Sequence, residues 1–291
     1  MSLIAKILYP VNFSPSCVAM APYVKRAAAL LGATVSLVHV VDPALHSGFE
    51  VFELYARPLS EISEENLRIG RGRLDSFLAT DFPVETCARI LASGDPATQI
   101  AHVAREIKAD LIIMPTHAGL FRQTLLGSTT AKVLNDADCP VLTSRHALEI
   151  APRPLEHREW VCAVGLSSNS ERVLRFAVEA AAQARGKVSI VYAVQGGDPD
   201  LPVQLDLREQ INAAEIREAK RRIDELARKV GTDVTVRIAV GSVKEALLEA
   251  VRNADADALL IGRSLQSGVR GRLRDLTYAV VRDSPFPVLS I

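Results

Sequence analysis

The chain has 291 residues, 48% of them hydrophobic and 23% charged, with 34 acidic and 34 basic side chains. That length holds two domains of ordinary size, each with its own core, and the composition excludes a disordered chain. A formal net charge of zero excludes a global field that would draw in nucleic acid or an anionic membrane.

In chain order, Met1-Ser2-Leu3-Ile4-Ala5-Lys6 lacks the basic start and apolar stretch of a signal peptide. No apolar run approaches the roughly 20 residues that cross a bilayer, so the expectation is a soluble, cytoplasmic protein. Ile4 to Pro10 reads as a short strand, followed by a long helical pattern over Pro15 to Leu31. Strands are then expected at 35–41, 84–91, 111–114 and 141–143, and helices at about 60–79, 96–107 and 128–136. The strand runs are continuously apolar, as in sheets covered by helices on both faces. Strand and helix alternate, which implies a parallel sheet with right-handed crossovers. Further along, strands fall near 160–164, 188–194, 234–240, 258–261 and 288–291. Cys17, Cys87, Cys139 and Cys162 show no CxxC pairing and no metal-ligand spacing, and read as small buried hydrophobes.

The two runs of five strands are a repeat. Ala109-Asp110-Leu111 matches Ala256-Asp257-Ala258, Cys139-Pro140-Val141 matches Phe286-Pro287-Val288, and Gly94 matches Gly241, all 147 positions apart. Val35 falls on Val188, 153 positions away, so the first copy carries six extra residues between its second and third strands. The domains are placed at 1–146 and 158–291. The linker is 147–157, where Pro152 and Pro154 interrupt regular structure.

Open parallel sheets bind ligands beyond the carboxyl ends of their strands, where the strand order reverses. In the first copy those ends are Pro10 to Ser14, His39 to Asp42, Ser93 to Pro96 and the segment after Met114. That last segment reaches Gly127-Ser128-Thr129-Thr130 at the start of a predicted helix. Glycine and hydroxyl residues there leave backbone N–H groups facing outward, where the helix dipole favours an anion. On spacing alone, Ser128 or Thr129 serves equally well as a plain N-cap.

The stretch from Pro115 to Ser128, continuing through Lys132-Val133-Leu134 and Cys139-Pro140-Val141-Leu142, resembles the universal stress protein signature. That signature is glycine, two residues, glycine, nine residues, then glycine and serine or threonine. Lys6-Ile7-Leu8-Tyr9-Pro10-Val11-Asn12-Phe13-Ser14, His39-Val40 and Gly94-Asp95-Pro96 extend the resemblance over nearly the whole of both copies. The expected fold is α/β, two tandem doubly wound domains, each a five-stranded parallel sheet in the order 3-2-1-4-5 flanked by helices. The resemblance implies an adenine-nucleotide site in the first copy, taking ATP with Mg²⁺. Pro10, Val11, Asn12 and Val40 would line the adenosine side, and Met114, Pro115, Ala118, Gly127, Ser128 and Thr129 the loop side. It also implies that the last strands of the two copies pair within the chain, with a homodimer as a further expectation.

The sequence departs from the family at informative places. Asn12 stands where an aspartate is expected, Pro115 and Ala118 replace the first two glycines, and the stretch from Ala118 to Gly127 is one residue short. In the second copy Gly165 takes the Asn12 place, Gly262 replaces Pro115, Leu265 replaces Ala118, and Arg274-Asp275 replaces Gly127-Ser128. An aspartate at that helix start repels phosphate, so no ATP is expected there. Arg263, Arg270, Arg272, Arg274 and Arg282 are expected to be solvated or paired with Asp275 and Asp283. His39 and His117 have no metal-ligand spacing, and no nucleophile elbow, Walker loop or dinucleotide fingerprint is present. The reading is a non-enzymatic nucleotide-binding protein of stress response and signalling. The alternatives are a tandem interaction scaffold with vestigial pockets and, third, a slow ATPase, which lacks an obvious general base because Asn12 cannot serve as one.

Overall fold

The computed structural model describes residues 2–42, 59–116, 126–144, 158–194, 205–263 and 275–291. The linker expected at 147–157 and the residues Ala118, His117, Arg270, Arg272 and Arg274 lie outside them. The chain forms two compact units, Ser2–Arg153 and Pro154–Ile291.

The first unit contains β1 (Lys6–Pro10), α1 (Pro15–Leu31), β2 (Thr34–Val41), α2 (Leu59–Ser76) and β3 (Ala88–Ser93). It continues with α3 (Pro96–Glu106), β4 (Leu111–Pro115), α4 (Ser128–Asp136) and β5 (Val141–Ser144). The second unit contains β6 (Glu159–Ala163), α5 (Ser170–Gln183), β7 (Lys187–Val194), α6 (Leu205–Val230) and β8 (Thr235–Val240). Then follow α7 (Val243–Asn253), β9 (Ala258–Ile261), α8 (Asp275–Asp283) and β10 (Val288–Ser290). Within the first unit the strands lie in the order β3-β2-β1-β4-β5, and within the second β8-β7-β6-β9-β10. The pairs are parallel, with Leu8 opposite Ser36 and Ile112, and Val161 opposite Ser189 and Leu259.

Burial explains the continuous apolar runs. Ile7, Leu8, Tyr9, Ile112 and Ile113 are fully buried in the first unit, and Cys162, Ile190, Leu259 and Leu260 in the second. Both faces of each central strand meet protein, so alternation in polarity has no place there. All four cysteines lack a disulfide, and burial pushes the Cys162 thiol up to about 12.

The repeated Ala-Asp pair has a structural reason. Asp110 Oδ2 accepts the N–H groups of Ala5 and Lys6 at 2.8 and 2.9 Å, and Asp257 Oδ2 accepts those of Arg158 and Glu159 at 2.7 and 3.3 Å. Each carboxylate thus caps the open start of its central strand with charge-assisted bonds. At the opposite end, Gly94 and Gly241 donate to the last carbonyls of β2 and β7, Val41 at 3.0 Å and Val194 at 2.9 Å. Their φ values, +134° and +128°, are open to glycine and strained for other residues.

The copies differ most around the second helix. The strand expected at 84–91 begins at Ala88, because Pro83 opens a turn whose carbonyl accepts the N–H groups of Thr86 and Cys87. The helix expected to reach Ala79 stops at Ser76, with Leu78 left-handed at φ +51°. Arg89, on β3, reaches back to the exposed carbonyl end of α2. Its guanidinium donates to Leu74 O, to Phe77 O at 2.8 Å and to Phe82 O at 2.7 Å. In the second unit the same task falls to Gly231, left-handed at φ +78°, whose N–H reaches Ala227 O and Arg228 O.

Candidate functional site

Because β1 lies between β2 and β4 and all are parallel, their carboxyl ends converge. Pro10 and Val11, Val40, Met114 and Pro115, and the Gly127-Ser128-Thr129 turn therefore come to one end of the first unit. Of the residues expected to form the site, Ala118 alone lies outside the described residues.

The adenosine side is built on the β1–α1 turn. Val11 is buried and donates to Val38 O at 2.8 Å, which extends the β1–β2 ladder by one bond. Asn12 is exposed, and its Oδ1 accepts the Ser14 N–H at 3.1 Å and the Cys17 thiol at 3.2 Å. It thereby forms an Asx turn that admits the chain into α1. The aspartate expected by the family would have had only acceptors to offer.

Phe13, at φ +61°, carries its ring onto His39 with centroids 4.2 Å apart and onto Phe77 at 5.2 Å, while the Arg73 guanidinium lies 4.4 Å from its centre. His39 Nδ1 is 2.8 Å from Val11 O. Burial, with the nearby Arg73 charge adding to it, lowers the His39 pKa against the opposing Val11 carbonyl, so the neutral ring donates from Nδ1. Sequence reasoning named His39 and missed its wall of Phe13, Arg73 and Phe77. A positive φ at phenylalanine has no signal in residue type.

The loop side rests on β4 and α4. Met114 pairs with Thr143 and Pro115 with Ser144, so both are the last rungs of the sheet. Gly127 donates to Thr116 O at 3.2 Å, and a Cβ at Gly127 would stand 2.9 Å from that same oxygen. The glycine is therefore required by the carbonyl of Thr116. Thr130, buried, places its hydroxyl 3.4 Å from the carbonyls of Pro115 and Thr116. Gly127 and Thr130 fasten the start of α4 to the end of β4, while Ser128 is exposed and Thr129 half-buried at the helix opening. The first-turn N–H groups there have no intrahelical acceptor, and they suit an anion.

In the second unit a cleft of about 1140 Å³ opens at the corresponding strand ends, lined by Gly165, Tyr192, Val194, Arg263, Thr277 and Val280 among others. Gly165 has nothing within 4 Å of where a Cβ would stand. Leu166 repeats the left-handed turn of Phe13 at φ +49°, and Arg222 of α6 donates to its carbonyl at 2.9 Å. Arg282 pairs with Asp283 through two bonds of 2.6 and 2.8 Å, and Lys244 joins that carboxylate at 3.0 Å. Arg263, expected to be solvated or paired, is not solvated: it is only 4% exposed, on the wall of the cleft. The end of β9 is drawn against α5 because Gly262 has no side chain, a Cβ there meeting Val173 Cγ2 at 3.0 Å. Among the described residues no three His, Cys, Asp or Glu side chains converge as a metal site, and no helix is long and apolar enough to cross a membrane.

Comparison with known proteins gives the family and the fold. A universal stress protein of Methanocaldococcus jannaschii is 32% identical over 146 residues, which is 48% of this chain and 82% of that protein. A universal stress protein of Thermus aquaticus is 33% identical over 132 residues, 42% of this chain and 90% of the relative. The crystal structure of a universal stress protein from Archaeoglobus fulgidus aligns over 100% of this chain and 98% of its own, with a TM-score of 0.67 and 21% identity, a likeness of fold. The model of the universal stress protein family matches twice, at residues 4–145 and 158–291. The chain belongs to the universal stress protein family, as a tandem of two such domains.

Proposed function

We propose that the first unit binds an adenine nucleotide and that the protein acts in a stress response through occupancy, with no turnover of the ligand. The observation that carries this reading is the opening of α4. Ser128 and Thr129 stand at a helix N-terminus beside the end of β4, with Ser128 exposed and Gly127 and Thr130 holding the turn in place. On this reading ATP would set its phosphates on the first-turn amides and its nucleoside toward Val11, Asn12 and Val40. Mg²⁺ would arrive with the phosphates, since no converging carboxylates await it among the described residues.

The chain's own residues bind and orient. Asn12 offers Nδ2 as a donor, and neutral His39 fixes the β1–α1 turn through Val11. Asn12 is not a general base, and catalysis by this turn is not part of the proposal. Occupancy would act by favouring whichever conformation binds nucleotide more tightly.

Equilibrium titration of the purified chain with ATP and Mg²⁺, with mass analysis of any nucleotide carried through purification, tests the proposal. Saturable binding lost in Ser128→Asp is expected, because a carboxylate at the helix opening takes the place of the anion. Absence of binding at millimolar ATP would replace this reading with that of a tandem interaction scaffold.

A further inference from the structure

We propose that Arg73 is a positioning residue of the first unit's candidate nucleotide site, acting from α2 through Phe13, and that Arg222 is its duplicated counterpart in the second unit. The role at the site rests on the nucleotide reading above, whereas the grip on the turn does not. Behind both stands a strained residue at the same place in each copy. Phe13 has a φ of +61° and Leu166 of +49°. A bulky side chain is an outlier there, and the conformation persists only where its surroundings hold it. Glycine would take either turn without strain, and neither turn uses it at this position.

In the first unit the holding groups come from β2 and α2. His39 lies against the Phe13 ring at 4.2 Å and Phe77 at 5.2 Å, and the Arg73 guanidinium stands 4.4 Å from the ring centre. His39 Nδ1, 2.8 Å from Val11 O, ties down the same turn two residues earlier. The helix reaches this place because Gly70 has no side chain. A Cβ there would stand 2.9 Å from Val41 Cγ2 and 3.3 Å from Leu91 Cδ1. Leu74, fully buried, anchors the following turn, and Arg73 next to it remains exposed.

The second unit repeats the placement with a different bond. Ala219, Arg222 and Ile223 follow Gly70, Arg73 and Leu74 by 149 positions each. Ala219 and Ile223 are buried and Arg222 is exposed, as are their counterparts. Leu166 has no ring face to offer a cation, and Arg222 donates instead to its carbonyl at 2.9 Å. One helix position thus reaches one turn position in both copies, by a cation–π contact in the first and a hydrogen bond in the second. The grip is what the copies share.

Its consequence for function lies in the two residues before Phe13. Val11 and Asn12 stand on the proposed nucleoside side, so a turn already held in shape spares the cost of ordering it on binding. Such a linkage is reciprocal: ATP should tighten the contact with α2 by as much as that contact tightens ATP.

Titration of the full chain with ATP and Mg²⁺, together with amide hydrogen exchange, tests the proposal. Arg73→Met keeps the apolar stem and removes the cation. It should weaken ATP by about three- to tenfold with an unchanged melting temperature, and Arg73→Lys should recover part of the loss. In the ligand-free Arg73→Met chain the Ser14 amide, which donates to Asn12 Oδ1, should exchange about threefold faster or more. Arg222→Met should do the same to the Ser167 amide, which donates to Ser170 Oγ. In a Phe13→Gly background Arg73→Met should change ATP affinity no further, as befits action through the ring. Unchanged ATP affinity in Arg73→Met overturns the role at the site. A full loss that persists in the Phe13→Gly background also overturns it, by placing Arg73 on the ligand itself. Unaltered exchange at Ser14 overturns the grip. A parent chain that binds no ATP defeats the nucleotide reading and the site role with it, and exchange at Ser14 and Ser167 then decides the grip alone.

Discussion

The ligand-facing ends of the two units share a frame and differ in what fills it. In both, a buried valine extends the ladder between the first two strands: Val11 to Val38 O at 2.8 Å, and Val164 to Val191 O at 3.2 Å. In both, a left-handed non-glycine follows, Phe13 and then Leu166, and an arginine of the unit's second helix meets it, Arg73 over the Phe13 ring and Arg222 at the Leu166 carbonyl. Beyond that frame the first unit keeps Asn12 and a hydroxyl-bearing helix opening, while the second has Gly165, a buried Arg263 and an acidic helix start. Backbone hydrogen bonds preserve the crevice, and a few side chains at its rim differ between the copies.

That comparison can be broken at the helix ends first. Arg89, from a partly buried position, ties the end of α2 at Leu74 O to the turn after it at Phe77 O and Phe82 O, whereas Gly231 caps α6 through its own backbone. Arg89→Met should destabilise the first unit by about 2–4 kcal/mol, read as an early transition in urea unfolding that leaves the second unit's transition in place. Equal loss in both transitions would show that the units do not unfold separately. Next in size, Gly127→Ala should cost about 1–3 kcal/mol in the same assay, because the added Cβ meets Thr116 O at 2.9 Å. The φ of −57° at Gly127 suits alanine, so the penalty is steric. An unchanged unfolding curve would mean the turn is looser than described.

The shared frame is sharpened by paired variants. Asp110→Ala and Asp257→Ala remove the same two-donor cap from β1 and β6 and should each cost about 1–2 kcal/mol, with similar values. A large effect at one and none at the other would contradict a common architecture. The smallest expected effect concerns pH. Asp95 caps α3 by accepting the Thr98 N–H and hydroxyl and pairs with Lys132, which lowers its pKa to about 2. A depressed carboxylate stabilises the fold above its unfolded value and loses that contribution as pH falls, here between about pH 4 and pH 2. Ser242, the corresponding cap of α7, makes no side-chain capping bond. Asp95→Asn should therefore flatten the acid dependence of the first unit's stability over that window, and Ser242→Ala should not alter the second's. Because Asp95 is exposed the change is small, and an unaltered acid profile in Asp95→Asn would remove it.

Much of the frame was legible because it is written in residue type. Continuous apolar runs marked the central strands, as in Leu111–Pro115 and Ala258–Ile261. Pro15 at the start and Gly32 past the end fixed the bounds of α1. The 147-residue repeat was readable because Asp110 and Asp257, and Gly94 and Gly241, perform identical backbone tasks. Where tertiary contact decides, the reading slipped. The end of α2 depends on Arg89, thirteen residues beyond Ser76, and β3 starts late because of the turn at Pro83.

The candidate site was legible as a set of converging strand ends, and the contacts its residues make were less so. Gly127 was expected to admit a phosphate, yet its close neighbour is the carbonyl of Thr116, and no one-dimensional pattern distinguishes the two. Arg263 looked like one of several surface arginines. It is buried, and beside it Gly262 lets the end of β9 lie close to α5.

The central claim is tested most directly at the amides of Ser128 and Thr129. Isotope-labelled chain titrated with ATP and Mg²⁺ should show saturable amide shifts at these two residues, with smaller changes at Val11 and Val40. Silence at Ser128 and Thr129 at millimolar ATP, with or without shifts elsewhere, would contradict it.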